Sequence, residues 1–286
     1  MSALLLRSAT AYEELAFHAL AHVPPSPTAW GRSLAASLHD PMYLAWVQAA
    51  SSSPFIEDRV ALMALQASGA LDAQLLPLLH LELEDFTRSA PRRLAELGPE
   101  DVADQAILAR LARPESPLVE LLRCDMALCS RDFAELYARS IAPSMEAGIS
   151  ATRASLGSLA VRAPALGRFS LVLSGVLGRR GRGFAGRRAT LFAGAPMPWN
   201  DLGPEDTALL LLHEAAVLLA DVGPDGEARH RKAERAAIEA VRGIVAGTPH
   251  QGPFEAHLAS LDLSGIAMAS EVRAETAALV LELSLA

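Results

Sequence analysis

Residues 207–220 of this 286-residue chain read TALLLLHEAAVLLA, and His213 and Glu214 are the ionisable side chains in that stretch. The run is apolar on every side of a helix, so the helix that carries it is expected to be buried on most faces. An imidazole and a carboxylate taken out of water unpaired cost several kcal/mol. Each therefore demands a partner: a backbone group, a neighbouring side chain or a metal ion. The following segment, RHRKAERAA, sets His230 and Glu234 four residues apart, on one face of the next helix. An exposed ion pair there would contribute a few tenths of a kcal/mol and no chemistry.

An apolar stretch holding His-Glu, preceded by strands and a glycine-rich segment, resembles the active-site helix of zinc metallopeptidases of the HExxH class. In that class two histidines one turn apart hold zinc and the glutamate activates water. His213 and Glu214 match the first two motif positions, and Val217 stands where the second histidine would be. A following helix that supplies a glutamate ligand is similar to the gluzincin branch. The resemblance then implies His213, His230 and Glu234 as a ligand set for zinc or iron, with Glu214 as the base. It spans roughly residues 168–240. With Val217 in the motif, the expectation is a degenerate, metal-free relative that binds a peptide or protein partner. The contrasting reading is a metal-dependent hydrolase of a peptide or amide bond.

Arg179, Arg180, Arg182, Arg187 and Arg188, with Arg168 nearby, make the strongest basic cluster, inside the glycine-rich segment GRRGRGFAGRR at 178–188. Planar guanidinium groups in such a loop suit carboxylate or phosphate, so an acidic peptide or partner is the expected ligand. His18 and His22 share a helix face at a spacing that can chelate a metal, but His22 fits a helix end, where a cation favours the dipole. His80, Glu82 and Glu84 would splay around a helix and are expected in solvent. No G-x-S-x-G, phosphate-loop or kinase motif occurs, and the glycine run at 178–188 is not followed by the helix that a dinucleotide-binding fingerprint requires.

These residues need elements to hold them. Residues 1–150 read as helices throughout: one around Tyr12–Val23 stopped by Pro24-Pro25, then 28–38, and one capped by Asp40 with Pro41 at its first position. Further helices are expected at 55–68, 71–90, 100–112, 115–129 and 131–147, broken by proline and glycine. After Gly148 the pattern changes. Residues 169–173 and 189–193 read as short strands around the arginine-rich loop, a hairpin or small sheet. Helices follow at 205–221 and 226–246, with one or two more after 254. The fold class is thus mainly α, an all-helical half (1–150) followed by an α+β half (151–286).

Composition is that of a folded chain: 51% hydrophobic, 20% charged, with a mean hydropathy of +0.24. A net charge of −8 argues against a dedicated nucleic-acid or anionic-membrane binder. Two cysteines, Cys124 and Cys129, make neither a disulfide scaffold nor a zinc spacing. Lys232 is the single lysine among 25 basic residues, a bias typical of a GC-rich bacterial genome. The opening MSALLLRSATAYEEL lacks a signal-peptide core, and no membrane-length apolar run occurs, so a cytoplasmic location is expected.

Overall fold

A computed structural model describes residues 4–21, 40–50, 133–184, 189–220, 227–259 and 273–285, and elements are numbered over these. The helices expected at 28–38, 55–68, 71–90, 100–112 and 115–129 lie outside the described residues, as do His22, His80, Glu82, Glu84, Cys124 and Cys129.

The first described element is a strand, β1 (Leu5–Ser8), before α1 (Ala11–Ala21) and α2 (Pro41–Ala50). This corrects the all-helical reading of residues 1–150. Four residues are too few to carry a periodic signal, and what makes this segment a strand is its distant partner: β1 lies parallel to β2 (Ser170–Ser174), with Leu6 opposite Leu171. The expected cap of α2 is in place, since the Met42 N–H donates to Asp40 Oδ1 at 2.9 Å.

A five-residue π-helical turn, Tyr137–Ile141, leads into the long α3 (Ala142–Arg162). That helix runs unbroken across residue 150. A 3-10 turn, Pro164–Arg168, then delivers the chain into β2. After β2 come β3 (Gly181–Phe184) and β4 (Thr190–Gly194). The sheet order is β1-β2-β4-β3, with β1, β2 and β4 parallel and β3 antiparallel at the edge.

The two expected strands are therefore neighbours that run parallel, and the hairpin is made by β3 and β4. Residues 181–184 read as loop because Gly-Arg-Gly has poor strand propensity. Strands β2 and β4 are nearly continuous apolar runs, SLVLS and TLFAG, as befits strands covered on both faces.

Helix α4 (Pro204–Ala220) packs on β3 and β4, while α3 packs on β1, β2 and α4. Helix α1 is pinned by Phe17, whose ring meets Phe192 of β4 edge-on at 5.3 Å. Helices α5 (Glu227–Val245), α6 (Gln251–Ala259) and α7 (Arg273–Ser284) follow, with α5 lying against α4 and α7. No helix among the described residues is long and apolar enough to cross a membrane.

Candidate functional site

Helix α4 is buried along most of its length, from Thr207 through Val217 with Glu214 half-buried. His213 is 4% exposed and is carried into the interior by the leucines around it. Its Nε2 lies 3.2 Å from Glu234 Oε1 on α5, so two of the expected ligand residues meet across the α4–α5 contact. Burial pulls the His213 imidazole down, but the charge and hydrogen bonding of Glu234, with help from Glu214, outweigh it and leave the group raised. The buried imidazole thus has the half-buried Glu234 carboxylate as its ionic neighbour.

A further histidine joins them. His257 of α6 is 2% exposed, and its ring centre lies 6.3 Å from that of His213. Burial, and then the charge on His213, push His257 down to about 4. The neighbouring imidazoles are thus shifted in opposite directions. His257 lies 44 positions after His213 in a segment without a motif, so only packing brings it in.

Glu214 faces another way. A Cβ placed on Gly181 of β3 would sit 2.6 Å from Glu214 Cγ, and one on Gly183 would sit 3.2 Å from the Glu214 carbonyl oxygen. Glycine at both positions lets the edge strand lie directly on the helix. The Gly194 N–H donates to the Arg180 carbonyl at 2.9 Å, which makes 180 and 194 a hydrogen-bonded pair. Antiparallel alternation then turns the N–H and C=O groups of Gly181 and Gly183 away from β4, toward a side where no strand among the described residues pairs with β3.

The other expected residues are scattered. His230 lies in the first turn of α5, with its side chain outside the described set. Arg179 is committed to Asp201, with Nε–Oδ1 at 2.8 Å and a second contact at 2.6 Å. Arg180 is exposed. Arg182 belongs to β3, and its side chain, like residues Arg187 and Arg188, lies outside the described set. His18 is fully buried and its Nδ1 is 2.7 Å from the Tyr43 hydroxyl, so it serves the core.

Zinc requires three protein donors converging on one point. His213 and Glu234 supply two, Val217 places an alkyl group at the second-histidine position, and no group of three donors among the described residues is arranged to hold a metal. The described side chains do not fit a metal centre.

A second buried acid escaped sequence reasoning. Glu14 of α1 is fully buried, accepting from the Gly175 N–H at 2.6 Å and the Ser174 hydroxyl at 2.7 Å, where β2 ends. Burial pushes its carboxyl up to about 8, against those two hydrogen bonds. Nothing in AYEELAF distinguishes Glu14 from Glu13, whose carboxylate pairs with Arg7 at 2.7 Å.

The chain matches no protein-family model, no curated protein and no solved structure.

Proposed function

We propose that this chain is an interaction protein with a degenerate metallopeptidase-like second half, which binds an extended, acidic peptide or protein segment. The observation that carries this reading is β3, the outer strand among the described residues, whose Gly181 and Gly183 backbone groups turn away from β4 while the strand rests on Glu214. An extended chain adds to such an edge through main-chain hydrogen bonds, and nearby side chains set its preference. Arg180, exposed beside β3, supplies the attraction for carboxylates.

The test is selection from a random peptide display library, followed by binding to edge variants. Enriched peptides are expected to be acidic and β-prone. Gly183→Pro removes an outward donor and should abolish binding, whereas Gly183→Ala adds the same Cβ, keeps the donor and should retain it. Arg180→Ala should weaken binding and flatten its salt dependence. Failure of any peptide to enrich, or equal binding by both Gly183 variants, overturns strand addition.

A metal-dependent hydrolase is the second reading, favoured by the meeting of His213 and Glu234 at 3.2 Å. It requires about one zinc per chain in protein purified without a histidine tag, and loss of that zinc in His230→Ala. On the degenerate reading the chain carries well under one zinc, and Val217→His raises zinc affinity by returning an imidazole to the face of His213.

A further inference from the structure

Three side chains far apart in sequence line up on the other flank of α4. Ser158 Oγ of α3 lies 2.7 Å from His250 Nε2, and His250 Nδ1 in turn meets Glu205 Oε1 in the first turn of α4. Ser158 and His250 are 92 residues apart, and His250 and Glu205 are 45 apart, so no linear motif announces them. We propose that Ser158, His250 and Glu205 form a nucleophile–base–positioning relay that hydrolyses small carboxylic esters with good leaving groups. The constellation is independent of the peptide-binding reading.

The polarity of the relay follows from its ends. The Glu205 carboxylate accepts, so His250 Nδ1 carries the proton it donates, and Nε2 is left to accept from the Ser158 hydroxyl. The hydroxyl is also 2.8 Å from the Ser155 carbonyl, the second direction open to its proton.

The support beneath His250 is tightly tied. Gly247 takes a positive φ of +68° to turn the chain out of α5, and its N–H donates to Gln251 Oε1 at 2.9 Å. The Thr248 hydroxyl donates to the Val245 carbonyl at 2.6 Å and accepts the His250 N–H at 3.1 Å. The imidazole is 14% exposed and Glu205 35%, while Ser158 stands in solvent. Ser158 is exposed and a Cβ on the adjoining Gly157 would meet nothing within 4 Å, so this stretch of α3 is uncovered among the described residues. A base fixed by a third group and bonded to an accessible hydroxyl is the arrangement that activates serine.

In the first step Ser158 Oγ bonds to the acyl carbon and its proton passes to His250 Nε2. The bond from acyl carbon to leaving oxygen breaks, and that oxygen takes the proton. Water then attacks the acyl-serine, giving its proton to His250. Ser158 Oγ departs and recovers it, so that ester and water become acid and alcohol.

The experiment treats the full chain with a fluorophosphonate probe and with 4-nitrophenyl acetate, locating adducts by mass spectrometry. Expected is a single adduct on Ser158, formed at least about 100-fold faster than on N-acetylserine amide. Ser158→Ala, exposed on a helix, should fold normally and lose the adduct. His250→Gln should slow acylation about 100-fold or more. Glu205→Gln should lower the acylation rate about ten-fold with the half-saturating ester concentration unchanged, a split that a merely structural role would not produce. No adduct on Ser158 in the unmodified chain, a rate equal to that of the model amide, or an unchanged rate in a folded His250→Gln overturns the proposal. The comparison with the model amide decides the matter even where a variant fails to fold.

Discussion

At the scale of single residues, buried ionisable groups make the sharpest claims. Glu14 is raised in the folded state to about 8 from an ordinary value of 4.5. Its contribution to stability is therefore complete below pH 4.5 and is lost as the pH climbs toward 8, by about 1.4 kcal/mol per pH unit. Glu14→Gln keeps an acceptor for the Gly175 N–H and presents a donor to the Ser174 oxygen. Urea midpoints of the variant and the unmodified chain should agree near pH 4.5, and the variant should be the more stable at pH 8. An equally steep decline in the variant would contradict the buried neutral carboxyl.

The two neighbouring histidines titrate with opposite signs. His213 is raised, so its stabilisation is full below the ordinary histidine value of 6.5 and fades as pH rises through its folded value. His257 is lowered to about 4, so its contribution is full above 6.5 and is lost as pH falls toward 4. Imidazole nitrogen shifts followed through a pH titration should show His213 losing its proton at higher pH than His257. In Glu234→Gln, His213 should titrate lower, because its main opposing charge is gone.

At the scale of elements, the contact of β3 with α4 is the closest in the site. Gly181→Val would drive a branched side chain into Glu214, whose Cγ lies 2.6 Å from the position of a new Cβ. A cost of about 1–3 kcal/mol is expected, read as a lower urea midpoint. By contrast, Arg242→Ala removes an exposed pair with Glu255 at 2.7 Å between α5 and α6 and should cost under about 1 kcal/mol.

The same elements show what was legible beforehand. Strands β2 and β4 and helices α4 and α5 were readable to within a residue or so, because long apolar runs and flanking glycine and proline mark them. Strand β1 was hidden because its strand state depends on residues 170–173. Strand β3 was hidden because the glycines that suit it to α4 are poor strand formers. His213 and Glu234 stood out because each is an ionisable group on a readable helix, and the resemblance put them in one ligand set. His257, His250 and Ser158 reach their partners only through tertiary packing, which no spacing encodes.

At the scale of the whole molecule, one core ties the first residues to the last. Leu6 of β1, Phe17 of α1, Phe192 of β4 and Leu283 of α7 belong to the same buried cluster. Phe17→Ala should therefore cost about 3–5 kcal/mol and destabilise the sheet as a unit. Unfolding followed by far-ultraviolet and near-ultraviolet circular dichroism should lower both transitions together.

The pairing of Leu6 with Leu171 also sets a timetable for synthesis. The partner of β1 is made more than 160 residues after it, roughly 10–30 s at common elongation rates. Throughout that interval Leu4-Leu5-Leu6 is an apolar run on a growing chain without its strand partner, the kind of segment that a ribosome-associated chaperone shields.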